Sequence, residues 1–161
     1  MTTTCVEQEG TGTRPPPVAP LPFISVIVPV RNEAAFIRRT LDQLLAQDYD
    51  PARFEVLIAD GRSTDATPAI VREVAARHPQ VRLLDNPKCW SSAGRNVAVR
   101  AARGDILVVI DGHCDLGNSR HLRELADAFD RSSADCVGRP QPLDVSGATV
   151  VQRAVAAARS S

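Results

Sequence analysis

Uninterrupted aliphatic blocks alternate along this chain with segments whose apolar positions recur every three or four residues. Phe23–Val30 (FISVIVPV), Phe54–Ala59 (FEVLIA), Val81–Leu84 (VRLL) and Ile106–Ile110 (ILVVI) are of the first kind, and they read as strands. The five branched aliphatics of Ile106–Ile110 suggest a strand buried on both faces of a parallel sheet. Between the strands, Phe36, Ile37, Leu41, Leu44 and Leu45 form one apolar stripe at helical spacing. Asn32 is placed to cap that helix, with Glu33 in its first turn, where a carboxylate favours the helix dipole. Thr67 and Pro68 open a second helix through Arg77, with Ile70, Val71 and Val74 inward. Ser91 or Ser92 starts a third, through Ala102, stopped by Gly104. A fourth carries Leu122, Leu125 and Phe129 on one face. Ala134–Pro140 reads as a fifth strand and Ala148–Arg159 as a small-residue helix with no cap. Residues 1–22, rich in Thr, Gly and Pro, lack periodicity and form an extended lead-in to a domain over 23–161.

Four βα units with right-handed crossovers imply an α/β fold: a doubly wound, mostly parallel sheet flanked by helices. Ligands of such sheets bind outside the carboxyl ends of the strands. The polar residues at those ends are Arg31, Asn32 and Glu33, then Asp60, then Asn86, then Asp111 and His113. Their gathering along one rim is the functional signal. An acid and an imidazole two residues apart in extended backbone project to the same side, with Gly112 between them. That is half of a site for a divalent cation carrying phosphate oxygens.

Composition narrows the partners. Lys plus Arg and Asp plus Glu number 19 each in 161 residues, so no large field steers nucleic acid or anionic membrane to the chain. Cys5, Cys89, Cys114 and Cys136 are scattered without CxxC spacing, which reads as reduced thiols in a cytoplasmic protein rather than a disulfide framework or a zinc set. No secretory h-region and no apolar run of roughly 18 residues occurs, so membrane association is expected only through segments outside this sequence. Neither GxGxxG nor GxxxxGK[ST] is present. A nucleotide must then be held by acids, main chain and metal. Glu33 could orient a ribose or base, or simply complement the helix dipole; Asp60 could accept from a base N–H or a ribose hydroxyl, or merely serve a turn. Arg95 could fork onto a phosphate or remain a solvated surface residue. Asp115 and His121 read as structural.

Three ordered motifs, VIVPVRNE, EVLIADGRSTD and SAGRNVAVRAARGDILVVIDGHCD, resemble the N-terminal half of family 2 glycosyltransferases, which have the GT-A fold. Within that family the chain is similar to enzymes of bacterial exopolysaccharide assembly, including succinoglycan-type ones. The resemblance implies nucleotide-sugar contacts at Pro29, Arg31, Asn32, Glu33, Asp60, Gly94, Arg95, Asn96 and Asp111. It matches Asp111 and His113 to the metal-binding DxD motif, here DxH, with Mn²⁺ or Mg²⁺ as the cofactor. Gly61 and Arg62 stand where the family often has Asp and Gly, so a second base-contacting acid is missing. The resemblance implies transfer of a sugar, with inversion, from a nucleoside diphosphate to a polysaccharide or lipid-linked acceptor. The general base of that reaction lies in a segment not found here, so the chain is expected to be a donor-binding portion, with little turnover alone and a tendency to self-associate. A non-catalytic nucleotide-binding module and an α/β subunit-interface domain are the alternatives.

Overall fold

The computed structural model describes residues 21–132, 134–138 and 149–151. Four strands, β1 (Ile24–Val30), β2 (Phe54–Asp60), β3 (Val81–Asp85) and β4 (Ile106–Val109), form one parallel sheet in the order β3-β2-β1-β4. Helices α1 (Ile37–Leu45), α2 (Thr67–Ala75) and α3 (Ser91–Ala101) make the crossovers, and α4 (His121–Arg131) follows β4. The first two crossovers extend the sheet from β1 through β2 to β3. The third carries the chain back to the far side of β1, so strand order reverses between β1 and β4. Such switch points open a crevice at the strands' carboxyl ends.

Strand parity decides which helix covers which residue. On one face Ile24, Val26, Val28 and Val30 join Phe54, Val56, Ile58, Ile106 and Val108 beneath Ile37, Leu41 and Leu44 of α1, Val71 and Val74 of α2, and Leu122 of α4. On the other, Ile27, Leu57 and Ala59 pack against Ala98 of α3. That helix lies over β1 and β2 but not β4. Leu107 and Val109, which pair with Ser25 and Ile27, are consequently 44% and 51% exposed. The expectation that this strand is buried on both faces is therefore corrected: among the described residues it is covered on one. Two half-wet aliphatic side chains forgo on the order of 1–3 kcal/mol of burial.

Two further expectations change. Asn32 does not cap α1: the helix begins five residues later, at Ile37, and Asn32 is left-handed at φ 57° with its side chain turned to the next loop. The carbonyl of Glu33 accepts the amides of Phe36 and Ile37 instead, at 2.9 Å each. No strand forms within residues 134–138, while positions 139 and 140 lie outside the described residues. Of the helix anticipated over 148–159, Val150 and Val151 are helical and the remainder lies outside.

Opposite the strands' carboxyl ends, the sheet is closed by a buried carboxylate. Glu55, fully buried at the start of β2, accepts from Ser25 Oγ (2.8 Å), the Arg103 amide (2.9 Å), the Arg103 guanidinium (3.0 Å) and Arg82 (3.2 Å). Gly104 must lack a side chain there, because a Cβ would stand 2.5 Å from the Ser25 amide nitrogen.

Candidate nucleotide and metal site

The loops leaving β1 and β2 are laced together. Asp60, 8% exposed at the end of β2, accepts from the amide (3.0 Å) and hydroxyl (2.5 Å) of Ser63. Ser63 Oγ in turn accepts the Asn32 amide at 2.8 Å, while Asn32 Oδ1 accepts the Thr64 amide at 2.8 Å. Thr67 Oγ1 accepts the Glu33 amide, and Asp65 accepts those of Ala34 and Thr67. The Thr67 hydroxyl, with these amides, outweighs slight desolvation and holds the exposed Asp65 carboxyl below its ordinary value. Asp65 thus staples the loop after β2 to the one after β1.

Beyond β1, on the other side of the switch point, stand Asp111 and His113. Glu33 Oε1 lies 3.0 Å from His113 Nδ1, and Arg95 Nη2 of α3 lies 3.7 Å from Asp111 Oδ1. The glycine between the two has a steric reason: a Cβ on Gly112 would sit 2.8 Å from Val30 Cγ1 and 3.3 Å from Glu33 Cγ. Thr40 Oγ1 donates to the Gly112 carbonyl at 2.8 Å and fixes that peptide against α1.

Contacts therefore run from Asp60 through Ser63 and Asn32 to Glu33 and His113. A concavity of about 760 Å³ along β4 is lined by Asp111, His113, Cys114 and Asp115, with Leu107 and Val109 on its wall; Asp60, Glu33 and Arg95 do not line it. Pro29 is buried at the end of β1, and its missing N–H costs no ladder bond because β4 ends opposite Ile27. Gly94 brings α3 within van der Waals reach of Pro29 and Ala59: a Cβ would meet theirs at 3.3 and 3.4 Å. Arg31 and Asn96 are exposed, and no hydrogen bond of the described residues joins either side chain to Asp60, Asp111 or His113. Asp115 pairs with Arg39 on the surface, consistent with its structural reading.

Several contributors carry no local signal in the sequence. Ser63 reaches Asn32, Thr67 reaches Glu33 and Thr40 reaches the Gly112 carbonyl, each across more than thirty positions that no local pattern connects. Asn86, 2% exposed, donates to the Trp90 carbonyl at 3.0 Å, which fixes the amide's orientation; its Oδ1 is buried without a partner. Among the described residues, the non-glycine ones in the left-handed region are Asn32, Arg62 and Cys89, one in each loop after β1, β2 and β3. Such conformations concentrate at functional sites.

A divalent cation is tested here on its donor set. Asp111 offers an exposed carboxylate, and His113 offers one ring nitrogen once Nδ1 is bonded to Glu33. Among the described residues no group of three or more His, Cys, Asp or Glu gathers to hold a metal. Two protein donors, with phosphate oxygens and water completing the shell, suit a cation that arrives with its substrate. The donors fit.

The sequence matches the family described as Glycosyl transferase family 2 over residues 25–152. It is 37% identical over 119 residues to glycosyltransferase AglE of Haloferax volcanii, covering 73% of this chain and 39% of that protein. With the succinoglycan biosynthesis protein ExoA of Rhizobium meliloti it shares 35% identity over 138 residues, 84% of this chain and 41% of the relative. Among solved structures, the mannosyltransferase PcManGT of Pyrobaculum calidifontis, in complex with GDP-Man and Mn²⁺, superposes with a TM-score of 0.65 at 31% identity, over 81% of this chain and 39% of that one. S. aureus TarS 1-349 in complex with UDP gives 0.62 at 28% identity, over 74% and 38%. The chain thus spans 38–41% of the length of these four proteins. With its parallel sheet in the GT-A arrangement and its motifs at the strand ends, this chain belongs to glycosyl transferase family 2.

Proposed function

We propose that the chain binds the donor of a sugar transfer, a nucleoside-diphosphate sugar accompanied by a divalent cation. The observation that carries this reading is the pair Asp111 and His113 at the switch point, with Arg95 reaching the first and Glu33 holding the second. Asp60, nearly buried at the end of the neighbouring strand, keeps unused lone pairs and takes a base N–H or ribose hydroxyl. Pro29 and Gly94 pack against each other at the end of β1, and we assign Arg31 and Asn96 to the nucleotide sugar as the family resemblance implies. Arg95, already within reach of Asp111, has the charge and planar fork to hold a phosphate oxygen.

Asp111 and His113 would hold the cation, which when bound stabilises the negative charge growing on the departing diphosphate. A neutral imidazole favours Mn²⁺ over Mg²⁺, and the archaeal relative with GDP-Man carries Mn²⁺. In the whole protein the sugar passes with inversion to a polysaccharide or lipid-linked acceptor, whose hydroxyl needs a carboxylate base beyond the residues assigned above. We place this chemistry in the cytoplasm.

Calorimetric titration of uridine and guanosine diphosphates, with and without Mn²⁺, tests the assignment. Heat that requires Mn²⁺, is lost in Asp111→Ala and is weakened about tenfold in Asp60→Ala supports it. Absence of heat with either nucleotide, or binding indifferent to Asp111→Ala, overturns it.

A further inference from the structure

Resting on that donor-site reading, we infer that Glu33 is a positioning residue for the cation: its carboxylate accepts a hydrogen bond from Nδ1–H of His113 and leaves Nε2 as the nitrogen that a divalent metal meets. The sequence offers Glu33 as a nucleotide contact or a helix-dipole partner; the structure gives it different work. Its Oε1 stands 3.0 Å from Nδ1, with the Glu33 side chain 20% exposed and that of His113 58% exposed.

Everything around this pair restricts it. The Glu33 amide is tied to Thr67 Oγ1 at 2.8 Å, and its carbonyl anchors the first turn toward α1, so the backbone that launches the carboxylate cannot swing. Gly112 leaves open the space through which the Glu33 side chain passes, since a Cβ there would touch Glu33 Cγ at 3.3 Å. The Gly112 carbonyl is pinned by Thr40, which sets where His113 leaves the main chain. Phe36 then lies edge-on to the imidazole, with centroids 6.3 Å apart and planes at 67°. Carboxylate, glycine and aromatic edge together orient one ring.

The chemistry follows from the imidazole itself. A neutral ring carries one proton, and the nitrogen without it is the metal donor; the hydrogen bond made by the other nitrogen selects the tautomer. A free histidine favours the proton on Nε2, the arrangement that would point an N–H at the cation. Glu33 reverses that preference and also places negative charge behind the ligand. The glycine in DGH makes room both for Val30, which a Cβ would meet at 2.8 Å, and for the Glu33 side chain on its way to the ring.

The chain has three histidines, His78, His113 and His121, so two-bond ¹H–¹⁵N spectra of ¹⁵N-histidine-labelled protein resolve the tautomers, with His113→Gln assigning the signal. Spectra are recorded about two units above the ordinary imidazole pKa. Native His113 is expected on Nδ1–H, Glu33→Ala on Nε2–H, and Glu33→Gln, whose amide oxygen still accepts, largely on Nδ1–H. In parallel, free Mn²⁺ is followed by electron paramagnetic resonance with uridine or guanosine diphosphate present. Glu33→Ala should weaken Mn²⁺ about tenfold, with Glu33→Gln recovering most of the loss.

Native His113 carrying its proton on Nε2 overturns the inference with no metal needed. So does native-like Mn²⁺ affinity in Glu33→Ala when Asp111→Ala has lost it, a result that leaves the donor site standing. Equal losses in Glu33→Ala and Glu33→Gln would make Glu33 a charge rather than a positioning bond. Mn²⁺ binding unaffected by Asp111→Ala removes the site itself.

Discussion

Removing the carboxylate of Glu55 should cost more stability than altering any single residue at the opposite rim. The group is fully buried and accepts from Ser25, from the Arg103 amide and from two guanidinium groups. Hydrogen bonds to a charged group contribute about 1.5–3 kcal/mol each, but those from arginine must be discounted. The Arg82 and Arg103 side chains are 40% and 64% exposed and recover water when their partner is gone. The Ser25 hydroxyl and the Arg103 amide are left stranded in Glu55→Ala, at about 1–3 kcal/mol apiece. A total of about 2–6 kcal/mol follows, a range that brackets the usual cost of breaking a buried pair, about 3–5 kcal/mol. Against a typical domain stability of 5–15 kcal/mol that is a large fraction. Glu55→Gln, which keeps the shape and one acceptor, should lose about 2 kcal/mol.

Its pH dependence has a definite sign. Burial pushes the Glu55 carboxyl upward, but the bonds from Arg103, Ser25 and Arg82 more than offset this and hold it below its ordinary value. A depressed carboxyl contributes stability that is complete above the unfolded value, about 4.3, and is lost as pH falls through the lower folded value. Urea unfolding at stepped pH, followed by far-ultraviolet circular dichroism, should therefore show a steeper acid loss in the native chain than in Glu55→Gln. Equal slopes, or a Glu55→Ala penalty below about 1 kcal/mol, would refute the reasoning.

Other outcomes are expected from the same geometry. Gly112→Ala forces a Cβ to within 2.8 Å of the buried Val30 Cγ1 and presses on Glu33, so it should lower stability by about 1–3 kcal/mol and weaken Mn²⁺-dependent nucleotide binding about tenfold, measured by dichroism and calorimetry. Trp90, the single tryptophan, is 73% exposed: its emission should scarcely shift on unfolding, and Trp90→Phe should change stability by less than about 0.5 kcal/mol. A strongly blue-shifted native spectrum would show that another surface covers it.

Much of the fold is legible in the sequence because each element bears its own period. Aliphatic runs mark all four strands, and of the stripe Phe36, Ile37, Leu41, Leu44 and Leu45 the three residues Ile37, Leu41 and Leu44 are buried on α1, whereas Phe36 precedes the helix and is 54% exposed. What the run Ile106–Ile110 lacks is any record of where α3 lies, and that alone leaves Leu107 and Val109 half exposed. Asn32 carries the chemistry of a helix cap, yet its oxygen is engaged by Thr64 across the loop, a partner no local pattern names. At the site, positions at strand ends could be read from topology. The pairing of Glu33 with His113 could not, because eighty residues separate them and only the Gly112 contact explains the spacing.

The two ends of the sheet differ in how firmly their charges are held, and this bears on where a ligand can act. Glu55 is enclosed by donors on both oxygens, and exchanging any of them for a solute would strand others. Asp111 is exposed, and its charge is met at 3.7 Å by an Arg95 that is itself 47% exposed. Pairs of that kind are worth about 0–1 kcal/mol and are screened by salt. Such a pair can be surrendered at little cost when a cation takes the carboxylate and a phosphate takes the guanidinium. Both groups would find a stronger partner in the same event, whereas His113 is held ready by Glu33 and need not move. Weakly satisfied charge beside a fixed imidazole is thus what a donor site requires before its ligand arrives. Salt that screens the Arg95–Asp111 pair should accordingly leave Mn²⁺ affinity far less affected than it leaves nucleotide affinity.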